Sequence, residues 1–149
     1  MLKGIPRILS PELLKVLMEM GHGDEIVIAD GNFPAASLAQ RLLRADGHGV
    51  PDLLDAILRL FPLDTFVDQP VALMDVVPGY DYKPEIWDEY QQIVSKHAAA
   101  SQGDAQAVGF EFVERYAFYE RARNAYAVVA TGEMALYANI ILKKGVVVE

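Results

Sequence analysis

The feature that most restricts the fold of this chain is a short segment, 26–29 (IVIA), in which every residue is apolar. A strand with one face in water alternates apolar and polar side chains, so a segment this uniform predicts a strand covered on both faces. Segment 71–77 (VALMDVV) predicts a second buried strand, which ends before Pro78 and Gly79. Such strands are typical of sheets that carry helices on both sides.

Segments with helical spacing alternate with these apolar strands. Ser10 and Pro11 supply a capping hydroxyl and a proline at the first helical position, and apolar residues follow at helical spacing until Gly21. Further helices are predicted at 35–43, 50–61, 83–100 and 118–125, further strands at 109–113, 126–131 and 139–148, and a polar loop at 101–106. This alternation predicts one α/β domain, residues 1–149, with a mainly parallel sheet covered by helices.

The composition limits the classes of molecule that this chain can be expected to bind and the compartment in which it is expected. The chain has 149 residues, 52% of them apolar, and can therefore bury the core of a single domain. Its net charge of −8 disfavours nucleic acid and anionic membrane surfaces, because both are bound through clustered lysine and arginine. No stretch approaches the roughly 20 apolar residues of a membrane span. The chain has no cysteine, which excludes disulfides and thiolate chemistry, and we expect a cytoplasmic protein.

A histidine precedes the first apolar strand. His22 lies between Gly21 and Gly23, whose lack of side chains leaves its ring open to a ligand. An imidazole with a reference pKa near 6.5 can both donate and accept a proton near neutral pH, as general acid–base catalysis requires. The alternative is a histidine that faces the end of the preceding helix and water. From the tripeptide alone, this alternative is favoured.

An aspartate follows the same strand, at an end where parallel sheets collect their ligands. The carboxylate of Asp30 could accept hydrogen bonds from two hydroxyl groups of a polyol, but an Asp-Gly pair is also a common turn. Asn32 and Phe33 add an amide and an aromatic face, which a sugar site uses. Phe33 before Pro34 is equally well explained as a hydrophobic plug.

The segment 114–145 holds a second group of polar side chains. Arg115, Tyr119, Tyr137 and Asn139 offer hydrogen-bond donors and acceptors, although each could instead pack or face solvent. The chain has no nucleotide-binding fingerprint, no nucleophile elbow and no metal-ligand spacing among its three histidines. The remaining hydroxyl, amide, imidazole and carboxylate groups suit a neutral polyhydroxylated ligand whose protons are moved without a cofactor.

Longer stretches carry a resemblance to a known family. Residues 10–34 (SPELLKVLMEMGHGDEIVIADGNFP), 42–47 (LLRADG), 118–133 (FYERARNAYAVVATGE) and 137–146 (YANIILKKGV) resemble the family of D-ribose pyranases and fucose mutarotases. The resemblance runs in matching order over nearly the whole chain. The segment 32–34 and the FYERA sequence resemble the fucose branch.

The resemblance implies an enzyme that interconverts the α and β anomers of a free sugar, L-fucose, in the cytoplasm without cofactor or metal. The resemblance favours a catalytic His22 over the histidine that faces the helix end and water, and it implies that His22 is the proton donor. It places Asp30, Arg115 and the segment Tyr137, Ala138 and Asn139 against the sugar, with Tyr119 catalytic in some relatives. Asp64 is a weaker candidate, because a turn would explain it equally well. The resemblance also implies a ring-shaped homo-oligomer, as large as a decamer, with sites at subunit contacts.

The spacing of two of these residues raises a question of geometry. Eight residues separate His22 from Asp30, and a mostly extended chain at about 3.3 Å per residue puts them on the order of 20 Å or more apart. Either the chain folds back through Gly23, or one sugar meets His22 of one subunit and Asp30 of another. Three functions stay open at this point: an L-fucose mutarotase, a D-ribose pyranase or mutarotase of another aldose, and a non-catalytic sugar-binding protein on the same fold.

Overall fold

Helices and strands alternate along the chain as far as the last two elements, which are both strands. The computed structural model describes residues 1–102 and 107–149, with the backbone alone at 99–102. Its elements are α1 (Pro11–Glu19), β1 (Glu25–Ala29), α2 (Ala35–Leu38), β2 (Leu42–Ala45), α3 (Val50–Leu58), β3 (Val71–Met74), α4 (Ile86–Gln102), β4 (Phe110–Val113), α5 (Arg115–Asn124), β5 (Ala127–Thr131) and β6 (Ile140–Lys143). In this part of the chain, no helix is long and apolar enough to cross a membrane.

The described strands form one sheet with the order β2-β5-β1-β6-β3-β4. The pairs β1 with β5, β2 with β5 and β3 with β4 are parallel, whereas β6 is antiparallel to both β1 and β3. Five strands therefore run in one direction and β6 runs in the other. The α/β fold with a mainly parallel sheet is confirmed, with β6 as an antiparallel insertion at its centre.

The sheet is covered on both faces, as the uniform apolar segment predicted. Ile26 and Ile28 belong to the core beneath α1, α3 and α4, while Val27 and Ala29 belong to the core beneath α2 and α5. All four side chains are fully buried. Alternate residues of the segment 26–29 thus enter opposite cores, and this is why neither face of this segment carries a polar residue.

One predicted helix is wrong in its second half. The segment 35–43 forms a helix only at α2, and the chain then enters β2, in which Leu42 pairs with Val128 of β5. The exposure of β2 alternates between half-buried and exposed side chains, which is the strand period. Pairing with β5 is a contact across more than 80 residues, and it overrides the local helical pattern.

Other boundaries move by a few residues. Helix α4 continues to Gln102, so the loop predicted at 101–106 is wrong at its first two residues, and 103–106 lie outside the described residues. Helix α5 begins at Arg115 rather than at 118, because the carboxylate of Glu114 accepts hydrogen bonds from two amides of its first turn. Strand β6 ends at Lys143, before the predicted 148.

The direction of the strands defines two edges of the sheet. We call the edge at which β1 to β5 end and β6 begins the carboxyl edge, and the opposite edge the amino edge. Asp30 and the segment 137–139 lie at the carboxyl edge, while His22 lies at the amino edge.

Candidate active site

Asp30 is held in place at the carboxyl edge by the segment that leads into β6. Its backbone N–H donates to Oδ1 of Asn139 at 2.8 Å, and its Oδ2 accepts from the N–H of Ala138 at 3.4 Å. Its Oδ1 accepts from the N–H of Asn32 at 3.0 Å. The structure thus brings together Asp30, Ala138 and Asn139, three of the residues predicted to contact the ligand.

The environment of Asp30 is unusual for a carboxylate. Only 5% of the residue is exposed. Burial raises its pKa above the ordinary value, the amides of Asn32, Ala138 and Phe33 lower it in part, and the negative charge of Glu133 adds to the rise. A buried, fixed carboxylate with an unfilled capacity to accept hydrogen bonds suits the hydroxyl groups of a ligand.

The backbone at Tyr137 is strained. Its φ of 55° lies in the left-handed region, and among the described residues no other non-glycine has a positive φ. Two side chains of α4 hold this conformation: Nε1 of Trp87 donates to the carbonyl of Tyr137 at 2.8 Å, and the hydroxyl of Tyr90 donates to the carbonyl of Ala138 at 2.6 Å. Strain of this kind persists only where surrounding contacts enforce it, and it concentrates at functional sites.

Two tyrosines that the sequence did not single out extend the site. The ring centroids of Tyr80 and Tyr82 are 5.7 Å apart and lie 6.4 and 6.3 Å from that of Tyr137. Together these rings form an aromatic cluster at the carboxyl edge, of the kind that packs against sugar carbons. The loop that carries Tyr80 and Tyr82 has no regular periodicity, so only the paired aromatic residues of YDY could have drawn attention to it.

Arg115 and Tyr119 reach the same edge from the start of α5. The guanidinium of Arg115 lies 4.6 Å above the ring of Tyr116, and its charge interacts with the phenols of Tyr119 and Tyr137. Its Nε is buried and has no hydrogen-bond partner within the described residues. The ring of Tyr119 packs at 5.5 Å against Phe33. A cation in the first turn of a helix opposes the helix dipole, so its place there requires another explanation, which a ligand would supply.

Helix α5 is fixed to the sheet by an ion network. Arg121, part of the FYERA sequence, donates to Oε2 of Glu25 at 2.6 Å and to Oε2 of Glu111 at 2.8 Å. The hydrogen bonds that Arg121 donates to Glu25 raise the pKa of Arg121 further above its ordinary value. Because these contacts join α5 to β1 and β4, they set the position from which Arg115 and Tyr119 approach the edge.

His22 occupies the amino edge, paired with a buried carboxylate. Its Nε2 lies 3.1 Å from Oδ1 of Asp64, and its ring is 5.4 Å from that of Phe66. The histidine side chain is 46% exposed, whereas that of Asp64 is 4% exposed. Nζ of Lys144 donates to the carbonyls at the end of α1. The C-terminal end of this helix is therefore capped by a lysine and not by His22, as the alternative for the histidine had assumed. Asp64 also accepts from the N–H of Phe66 and so has the turn role that the sequence suggested as well.

His22 and Asp30 do not meet within one chain. Gly23 turns with a φ of 87°, but its N–H donates to the carbonyl of Lys144, and this bond keeps the turn at the amino edge. The five residues of β1 lie between the two groups and span about 16 Å at about 3.3 Å each. The chain therefore does not fold back, and these two predicted site residues lie at opposite edges of the sheet.

The described residues contain no group of three or more histidine or carboxylate side chains placed to hold a metal ion. The polar groups at both edges are hydroxyl, amide, imidazole, guanidinium and single carboxylate groups, which can form hydrogen bonds with the hydroxyl groups of a ligand and transfer protons.

Comparisons with known proteins identify the family. Residues 3–147 match the model of the RbsD / FucU transport protein family. The chain is 53% identical over 152 residues to fucose mutarotase of Danio rerio (98% of this chain, 94% of that protein), and 52% identical over 146 residues to L-fucose mutarotase of Actinobacillus pleuropneumoniae serotype 5b (98% and 97%). The crystal structure of the fucose mutarotase in complex with L-fucose from Streptococcus pneumoniae has 54% sequence identity and a TM-score of 0.90, with 99% of this chain and 100% of that chain covered. The chain therefore belongs to the RbsD / FucU transport protein family, as its sequence motifs predicted.

Proposed function

We propose that this protein is a fucose mutarotase, an isomerase that interconverts the α and β anomers of L-fucose. The observation that carries the proposal is the similarity to fucose mutarotases, which exceeds 50% identity over nearly the full length of each chain. The carboxyl edge supports it independently, because Asp30, Asn139 and the aromatic cluster offer a hydroxyl-binding carboxylate and amide beside apolar rings.

The chemistry requires two proton transfers in each direction. Opening the pyranose ring places a proton on the ring oxygen and removes one from the anomeric hydroxyl, and closing onto the other face of the aldehyde reverses both. General acid–base catalysis of such steps contributes about 10²–10⁴-fold. We assign the proton on the ring oxygen to His22 and the second transfer to a tyrosine, Tyr119 or Tyr137. No cofactor takes part in these steps.

The remaining site residues hold the sugar. Asp30, Arg115 and Asn139 bind hydroxyl groups away from the anomeric carbon, and Ala138 presents the backbone beside them. After ring opening, the aldehyde must rotate about its bond to C2 before the ring closes on the other face. Binding through the distal hydroxyls restrains the sugar while it leaves C1 free to turn.

A complete site requires two copies of the chain. The distance across β1 exceeds what one monosaccharide can bridge, so His22 from one subunit meets a sugar held by Asp30 of its neighbour. Each edge exposes large apolar side chains that a neighbour would cover: Phe66 is 74% exposed beside His22, and Phe112 and Tyr116 are 52% and 63% exposed at the carboxyl edge. Contact between two different edges is head-to-tail, and a head-to-tail contact forms a ring where the rotation between neighbours closes. We propose such a ring, a homo-oligomer as large as a decamer. We also propose the cytoplasmic location that the family resemblance implies.

Saturation-transfer NMR of the sugar anomers tests the proposed activity. We expect the protein to accelerate exchange of L-fucose more than that of D-ribose or galactose. The substitution His22→Asn should lower the L-fucose exchange rate by about 10²-fold or more, because it removes the proton donor. The exposed His48 provides a matched control, and His48→Asn should retain the native rate.

Three other outcomes of these measurements would contradict the proposal, each in a different part. Near-native exchange in the His22→Asn protein would overturn the role of the histidine. Faster exchange of D-ribose would make the protein a pyranase of the ribose type. Sugar binding without acceleration of any anomer exchange would make it a non-catalytic sugar-binding protein.

A further inference from the structure

We infer that Trp87 is a positioning residue for the sugar. Through its indole N–H it fixes the orientation of the peptide group between Tyr137 and Ala138, whose own N–H faces Asp30. The hydrogen bonds at the two ends of this peptide group belong to the structure of the carboxyl edge. Their consequence for the sugar rests on the proposed function.

The peptide group between Tyr137 and Ala138 is held at both of its polar ends. Its carbonyl accepts from Nε1 of Trp87 at 2.8 Å, and its N–H donates to Oδ2 of Asp30 at 3.4 Å. The C=O and the N–H of a trans peptide group point in opposite directions, because the group is planar. A donor that holds the carbonyl on one side therefore directs the N–H at the carboxylate on the other side.

Without a partner for its carbonyl, this peptide group could rotate away from Asp30. Tyr137 has a φ of 55°, a left-handed conformation in which the Cβ of a residue other than glycine is crowded. Relaxation to a negative φ rotates the following peptide group about the N–Cα bond of Tyr137, and this would carry the N–H of Ala138 away from the carboxylate. The hydrogen bond from Trp87 opposes that rotation and preserves the arrangement around Asp30 on which the proposed function depends.

The indole of Trp87 is itself fixed from two sides. The backbone N–H of Trp87 donates to the carbonyl of Pro84 at 3.3 Å, and its ring centroid lies 5.2 Å from that of Phe112 on β4. Tyr90 lies three residues further along α4, on the same face of the helix, and its hydroxyl donates to the next carbonyl, that of Ala138. One face of α4 thus holds two successive peptide groups of the proposed sugar site.

The native protein allows a direct measurement of this hydrogen bond, because Trp87 is the only tryptophan in the chain. Its indole N–H gives a single ¹⁵N NMR signal that needs no assignment. We expect this proton to exchange with water at least about 10-fold more slowly than that of free tryptophan, since a hydrogen bond must open before exchange occurs. The chemical shift of the signal should change when L-fucose is added.

The single tryptophan also allows the indole N–H to be removed alone. In 3-benzothienylalanine a sulfur atom replaces the indole N–H and the ring keeps nearly the same size. Protein synthesis with this amino acid in place of tryptophan alters position 87 and no other. We expect the Kd for L-fucose, measured by calorimetry, to rise by about 3-fold to 10-fold, which is the effect of one lost neutral hydrogen bond on an equilibrium constant.

The kinetics of the same protein separate a positioning role from a catalytic one. KM should rise together with Kd, because only molecules with the native orientation of the peptide group bind the sugar. The value of kcat should stay within about twofold of native, since a bound sugar selects that orientation and the groups that transfer protons are unchanged. Removal of a group that acts only in the transition state would instead lower kcat.

Two variants provide the controls. Trp87→Phe lacks the N–H but keeps an aromatic ring against Phe112, so it should raise Kd by the same factor as the analogue. Gln40 also donates a side-chain N–H to a backbone carbonyl, that of Arg123 at 2.9 Å, at an exposed position outside the segment 137–139. Gln40→Ala should therefore bind L-fucose with the native Kd.

The inference is overturned by a native indole N–H that exchanges as fast as that of free tryptophan, and this measurement needs no variant to fold. It is equally overturned by a native Kd in the protein that contains the analogue, or by a fall in kcat with KM unchanged. If the native protein binds L-fucose but accelerates no anomer exchange, the proposed function fails, while Kd and the indole signal still decide the role of Trp87.

Discussion

The hydroxyl of Tyr90 fixes a carbonyl beside the proposed sugar site. Tyr90 and Ala138 are both fully buried, and the hydroxyl donates to the carbonyl at 2.6 Å. Burial raises the pKa of Tyr90, so the group remains a donor. We expect Tyr90→Phe to lower the free energy of unfolding by about 1–3 kcal/mol, measured by urea denaturation, because it leaves a buried carbonyl without a partner.

Tyr126 supplies the control for this prediction. Its hydroxyl also donates one hydrogen bond, to Oε2 of Glu19 at 2.7 Å, but at an exposed position. Water can replace that bond, so Tyr126→Phe should change the free energy of unfolding by no more than about 0.5 kcal/mol. Equal losses in the two variants would show that the burial of the Ala138 carbonyl does not decide the effect.

Single residues were predictable where local sequence limits their alternatives. His22 and Asp30 stand out because glycines or a turn bracket them at the ends of an apolar strand. Asp64 had only a weak signal, because its partner lies 42 residues away, and Trp87 had none, because its bond to the backbone of Tyr137 spans 50 residues. Side chains that act across such separations have no periodicity to reveal them.

At the level of elements, the backbone at the end of β6 holds together the loops that carry His22 and Asp64 at the amino edge. Gly145 follows β6, and its N–H donates to the carbonyl of Pro62 at 2.7 Å. A Cβ at this position would lie 2.5 Å from the carbonyl oxygen of Leu63 and 2.8 Å from Cα of Asp64. Both are backbone atoms, which cannot rotate away.

We therefore expect Gly145→Ala to be costly. Overpacking of this kind destabilises by about 1–3 kcal/mol, and calorimetry should show the corresponding fall in Tm. Because the clash displaces Asp64, anomer exchange should fall as well. The turn glycine Gly47 serves as the control, since a Cβ there meets nothing within 4 Å. Native stability in Gly145→Ala would mean that the loop before Asp64 moves freely.

The elements themselves were largely predictable, with two exceptions. Strand β1 and helix α1 follow from uniform apolarity and from a serine-proline start, both local signals. Strand β2 was predicted as helix because AASLAQRLL has helical composition, and what makes it a strand is its place beside β5. The reversed direction of β6 was not predictable either, since strand direction depends on neighbours rather than on composition.

At the scale of the whole molecule, the proposed ring makes a quantitative prediction. His22→Asn and Asp30→Asn should each abolish exchange, because each removes one half of every site. When the two variants are unfolded, mixed in equal amounts and refolded together, one site in about four should combine a native His22 with a native Asp30, so about a quarter of the native rate should return. Anomer exchange in the refolded mixture measures this directly.

A second mixture separates shared sites from sites within one chain. Native protein refolded with an equal amount of the His22→Asn, Asp30→Asn double variant should keep about a quarter of the rate if sites are shared and about half if they are not. Failure of the first mixture to recover activity, with half the rate retained in the second, would place each site within a single chain.

The antiparallel direction of β6 has one further consequence. The strand begins beside Asn139, at the carboxyl edge where we propose that the sugar binds, and ends beside the carbonyls that fix Asp64 and Gly23. In the ring that we propose, the start of β6 would contact one sugar, while its end would position the histidine that contacts the next sugar. In that arrangement, the four residues of β6 would connect two neighbouring active sites. A displacement of this strand along its axis would therefore disturb the substrates in both sites.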